Sequence, residues 1–145
     1  MTTVQIEKTV WLNRLYYIKL KLDCLYSLKE SDRKHALKLM EMIPDKNNPK
    51  LSEECSKIID DSNNSNTEKY MEILNLYNKV RNEIFLAIDK INDFELQAIL
   101  IAHYLEYKPW NVVADEKFYS LRTVKYKHLK ALDLLNINES EFENA

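Results

Sequence analysis

Apolar side chains return along the first thirty residues with the period of a helix. Trp11, Leu15, Ile18, Leu22 and Leu25 are spaced by four, three, four and three, one stripe on a helix from about Thr3 to Lys29. Tyr16, Tyr17, Leu20, Tyr26 and Leu28 widen that stripe, so this face is expected to bury against more than one neighbour. A second helical piece, Asp32 to Ile43, is expected to stop before Pro44, because proline disfavours helix in the residue ahead of it. The turn-forming runs PDKNNPK and DDSNNSN predict a flexible connection around residues 44–66, with LSEECSKII between them as a short helix capped by Ser52. The four-three spacing then resumes at Ile73, Tyr77, Val80, Ile84, Ala87 and Ile91, with Leu74, Leu76, Phe85 and Ile88 beside it. Two such helices over residues 1–91 suggest an antiparallel hairpin, coiled-coil-like in its packing. The same stripes could instead pair between chains and form a homodimer.

The rhythm changes after Ile91. Asn92 or Asp93 can cap a helix with Glu95 in its first turn, and Leu96, Ile99, Leu100 and Tyr104 give that helix an apolar face. Pro109 sits where the first turn of a short helix, WNVVADEKF, is expected, presenting Val113 and Ala114 to a core. Ser120 can cap a last helix that runs to about Leu135. Three short helices in residues 92–137 match a helix-turn-helix, and residues 138–145 form an acidic tail. The expected fold is therefore all-α, a long N-terminal helical hairpin followed by a small C-terminal three-helix domain.

Charge makes the last helix more specific. Residues 117–130, KFYSLRTVKYKHLK, hold five Lys or Arg and no Asp or Glu, in a chain of formal net charge −2. The remainder keeps 16 basic against 23 acidic residues, a net of −7. An acidic body discourages indiscriminate polyanion binding and turns the single basic face toward such a ligand. On a helical wheel Leu121, Val124, His128, Leu132 and Leu135 gather on one side, with Ala131 beside them. Arg122, Tyr126, Leu129 and Lys130 lie opposite, flanked by Lys125 and Lys127. A solvated surface explains Lys-rich helices in general. The short helix and capped turn ahead of this one favour nucleic-acid contact instead. The residues expected to meet DNA are Ser120, Arg122, Thr123, Lys125, Tyr126, Lys127 and Lys130, with Ser120 both capping the helix and touching phosphate.

Composition removes other classes. Glycine is absent, so no phosphate-binding loop, dinucleotide-binding turn or nucleophile elbow can form. Cys24 and Cys55 form no CxxC pair and read as free thiols of a reducing compartment. His35, His103 and His128 are scattered, and His103 and His128 read as hydrogen-bonded side chains at the edge of packing. Trp110 reads as buried beneath the three-helix core. No acid-base pair, nucleophile constellation or metal set stands out, so neither an enzyme nor a metal or cofactor site is expected. The N-terminus shows no basic segment ahead of an apolar run, and no uncharged apolar stretch approaches the ~18 residues of a membrane span. The expectation is a soluble intracellular protein.

HYLEYKPWNVVADEKFYSLRTVKYKHLKAL resembles the C-terminal helix-turn-helix of Gram-positive phage regulators of the ArpU and RinA type, whose tail is like region four of bacterial sigma factors. The resemblance rests on Tyr104-Leu105, Trp110, Val113-Ala114, Tyr119-Ser120, Thr123-Val124, His128 and Ala131-Leu132, with the spacing kept without gaps. The N-terminal helices share only order and length with such proteins. Lys117 and Phe118 depart from the pattern, which carries Leu and then Gly or Asn. A bulky residue resists positive φ, so the turn is expected to differ by one residue or to pack Phe118 into the core. The resemblance implies transcriptional regulation of phage or prophage genes through double-stranded DNA, with host RNA polymerase as a further partner. The alternative is a helical protein-interaction module that binds RNA polymerase or another protein, with the sigma-like tail as tether or decoy.

Overall fold

The structure is a computed structural model describing the backbone of residues 1–41 and 49–137 and the side chains of 1–35, 37–38 and 67–137. The described residues are all-α, with two long helices followed by three short ones. The long helices are α1 (Thr3–Glu41) and α2 (Pro49–Asp89). The short ones are α3 (Phe94–Leu100), α4 (Trp110–Lys117) and α5 (Leu121–Leu134), with a π-helical turn at Ile101–Leu105. No helix among the described residues is long and apolar enough to cross a membrane.

Both long helices extend further than the residue pattern suggests. No break separates Lys29 from Asp32, because Lys-Glu-Ser-Asp contains neither Pro nor Gly and each residue tolerates a helix interior. The connection expected around 44–66 is helical from Pro49 onward, and DDSNNSN lies inside α2. Asn, Ser and Asp are each only ~0.5 kcal/mol poorer than Ala in a helix, and extending a helix needs no new nucleus. Pro49 occupies the first helical position, where its missing N–H leaves no bond unmade. Pro44, the side chains of Ser52 and Cys55, and the acidic tail lie outside the described residues.

The chain forms two compact units, Met1–Tyr17 with Tyr77–Ala145, and Ile18–Leu76. These boundaries cut the long helices rather than falling at 91/92. A change of periodicity marks where a helix ends, whereas compactness follows which side chains touch. In the first unit, Trp11, Leu12 and Leu15 of α1 and Val80, Ile84 and Ile88 of α2 are buried. The Arg14 guanidinium lies 3.3 Å from the Glu83 carboxylate and 4.7 Å from the centre of the Trp11 ring. The N-terminal end of α1 is tied to α5 by Gln5 Nε2 donating to Asp133 Oδ1 at 2.9 Å. Lys8 Nζ donates to the Leu132 carbonyl at 2.8 Å. In the other unit Leu22 and Leu25 are buried, and Lys19 pairs with Asp23 one turn on at 2.8 Å. Tyr16, Tyr17, Leu20, Tyr26 and Leu28, expected to widen the buried stripe, are exposed.

Asp93 caps α3 by accepting from the N–H groups of Glu95 and Leu96. Gln97 Nε2 reaches back to the carbonyls of Asp89 and Ile91, closing the corner between α2 and α3. Leu96, Ile99 and Leu100 face inward. The π turn widens the ladder, with the Glu106 N–H meeting the Ile101 carbonyl at 3.0 Å. Ala102, Tyr104 and Leu105 are all buried there.

Candidate nucleic-acid interface

The basic segment stands on a small apolar core. Ile99, Ala102, Val113, Ala114 and Val124 come together from α3, the π turn, α4 and α5, with Trp110 and Tyr119 packed against them. Pro109 precedes α4, and its carbonyl accepts from Val112 and Val113 at 3.0 Å each. The Val113 bond is the first of the helical ladder, and the Val112 bond satisfies an amide that a helix start otherwise leaves without a partner.

The turn between α4 and α5 corrects the sequence expectation. Phe118 adopts φ 60° and ψ 38°, the left-handed region, and is 94 % exposed rather than packed into the core. The Tyr119 N–H meets the Ala114 carbonyl at 3.0 Å and the Phe118 N–H meets the Asp115 carbonyl at 3.3 Å. These are the two bonds of a Schellman ending, and Tyr119 supplies its hydrophobic contact by packing on the core that holds Ala114. Holding a Phe in this conformation costs about 1–2 kcal/mol. The paired hydrogen bonds and the inward Tyr119 outweigh that.

Ser120 then begins α5. Its Oγ accepts from the Thr123 N–H at 3.1 Å and lies 2.8 Å from Thr123 Oγ1. Val124, His128, Ala131, Leu132 and Leu135 are buried as the wheel predicts, but Leu121 is 43 % exposed. Helical side chains lean toward the N-terminus, so a first-turn residue projects past the core toward the turn.

The seven residues expected at DNA do not all face the same way. Arg122, Lys125, Tyr126 and Lys130 are exposed along the outer side of α5. None of the three cations has a carboxylate partner among the described residues. Ser120 is exposed and Thr123 half-buried, with their hydroxyls engaged in the cap. Lys127 turns back, with its Nζ 2.8 Å from Glu95 Oε1 and 5.0 Å from the centre of the Tyr119 ring. The Tyr119 hydroxyl donates to the same Glu95 oxygen. Glu95 of α3 therefore neutralises one cation of the basic segment. No local spacing announces this pair, because the partners are far apart in sequence. Just ahead of α4, Lys108 is likewise held by Glu116 at 2.8 Å and Glu106 at 3.0 Å, which raise its pKa.

Beneath α5 the two histidines serve the packing. The Tyr104 hydroxyl and His128 Nε2 are 2.7 Å apart, and the His103 Nδ1 is 2.8 Å from the Lys108 carbonyl. The Trp110 ring stacks on His103 at 3.7 Å and approaches His128 at 4.4 Å. Burial lowers the His103 pKa and pushes that of His128 down to about 4, with neighbouring His103 adding to the effect on His128. Burial raises Tyr104 to about 12. These groups stay neutral near pH 7 and anchor α5 on its inner side. No cluster of His, Cys, Asp and Glu suited to a metal ion occurs among the described residues.

No family model, curated protein or solved structure matches this chain.

Proposed function

We propose that this protein is a sequence-specific DNA-binding transcriptional regulator that sets α5 in the major groove. The observation that carries the reading is the exposed row Arg122, Lys125, Tyr126 and Lys130 on a helix whose opposite face is buried. An α-helix with its side chains is about as wide as the major groove of B-DNA. Neutralising phosphates supplies affinity, and an Arg near the helix start reaches base edges. The α4–turn–α5 order and the capped start of α5 support a helix-turn-helix reading. Control of phage or prophage genes, with host RNA polymerase as a partner, is the reading's further extent and rests on residue resemblance.

The test is a salt-controlled shift assay with duplexes selected from a random pool by the purified chain. Arg122→Glu should lose at least the roughly 1–3 kcal/mol of one base-contacting Arg while keeping the helical spectrum of the parent. A variant that binds as tightly as the parent refutes this docking. Binding that weakens steeply with salt belongs to DNA, whereas an apolar protein interface changes little.

A further inference from the structure

We infer that Phe118 is a base-contacting residue whose ring meets the C5-methyl group of a thymine in the groove that receives α5. The inference rests on the DNA-binding reading above and adds a residue that the cationic pattern does not contain.

Phe118 has no structural task that needs a phenyl ring. Its backbone closes the α4 turn, and Gly or Asn would make the same two hydrogen bonds without the left-handed penalty. Its side chain contributes nothing to the core, since the hydrophobic contact of that turn is made by Tyr119. At 94 % exposure the ring also gains nothing from burial. A large apolar group held outward against local backbone preference points to a use outside the fold.

The surroundings indicate the occupant. Phe118 stands two residues ahead of the Ser120 cap, at the end of α5 that carries Arg122, with Leu121 also exposed. Arg122, Lys125 and Lys130 call for a polyanion, while the ring calls for an apolar surface next to the end of the helix that carries Arg122. Duplex DNA offers both, because thymine methyl groups line the major groove between two rows of phosphates. A folded acidic protein would supply the charge but no methyl group that a single base substitution removes.

The test uses the purified chain on a duplex it selects from a random pool, with each thymine replaced in turn by deoxyuridine, which lacks only the methyl group. One such replacement should weaken the parent by about fourfold, the change expected for one buried methyl-sized group. The same replacement should leave Phe118→Gly unaffected, and Phe118→Gly should bind the thymine site correspondingly more weakly than the parent. Phe118→Asn, which also tolerates the left-handed turn, should behave as Phe118→Gly, so loss of the ring is separated from loss of the turn. Circular dichroism and thermal melting check that both variants fold. Equal affinity of parent and Phe118→Gly, or equal loss on deoxyuridine in both, overturns the inference while leaving the DNA reading intact. If no duplex is selected, or Arg122→Glu binds like the parent, the DNA reading fails and the inference falls with it.

Discussion

The Tyr104 hydroxyl and the His128 Nε2 lie 2.7 Å apart inside the C-terminal helices, with both side chains buried. Burial there, with His103 nearby, disfavours the charged imidazole. Unfolded, a histidine takes up its proton near pH 6.5, whereas folded His128 does so only at about pH 4. Between these values the unfolded chain binds more protons. Stability is therefore full above pH 6.5 and falls as the pH drops toward 4, by up to ~3 kcal/mol. His103, also lowered, acts in the same direction. Urea midpoints between pH 7.5 and 4.5 should show this fall. His128→Gln, which keeps a partner for Tyr104 without titrating, should flatten much of it. Equal pH dependence in parent and variant counts against the assignment.

Glu95 joins Lys127 and Tyr119 at a partly exposed site. Its replacement by Gln should cost less than about 1 kcal/mol of stability, as partly exposed pairs do. It also releases one cation of the basic segment. On the proposed DNA-binding function, the salt dependence of binding to a selected duplex should steepen by about one unit in log-log slope. An unchanged slope in a titration of affinity against salt means that Lys127 stays away from phosphate.

Among the described residues two bulky ones hold positive φ, Tyr107 at 59° and Phe118 at 60°. They should respond differently to glycine. Phe118→Gly removes the left-handed penalty and no native contact, and should stabilise by ~1 kcal/mol. Tyr107→Gly also removes the 2.8 Å contact with the Tyr77 hydroxyl, so it should gain less or lose stability. Chemical denaturation of both variants decides, and a destabilised Phe118→Gly would show that the ring packs in solution.

Gln5 and Asp133 join the first and last helices at 2.9 Å. A double-mutant cycle with Gln5→Ala and Asp133→Ala should give a coupling of about 0.5–1.5 kcal/mol. A coupling near zero would mean that the start of α1 is not fastened to α5 in solution.

Periodicity and capping chemistry were sufficient for most of the secondary structure. Trp11, Leu15, Leu22 and Leu25 on α1, and Val80, Ile84 and Ile91 along and just after α2, were legible as buried because a helix repeats every 3.6 residues, whereas Ile88 rather than Ala87 is the fully buried residue between the last two. Asp93 and Ser120 were legible as caps because a short oxygen side chain there meets free amides. Local turn propensity misled at DDSNNSN, where the helix on either side outweighs a few unfavourable residues. At Phe118 the conformational preference of one residue yielded to two hydrogen bonds and an inward Tyr119.

The sequence by itself determined an all-helical chain with one basic helix and the row Arg122, Lys125, Tyr126 and Lys130 on its outer side. Only the tertiary structure decided that Lys127 is turned inward to Glu95, that Leu12 is buried beside Trp11, and that Phe118 projects outward. The physical reason is the range of the interactions. Helix periodicity and capping act over a few residues and can be read along the chain. Ion pairs and burial depend on partners brought together from distant positions, which no local pattern specifies.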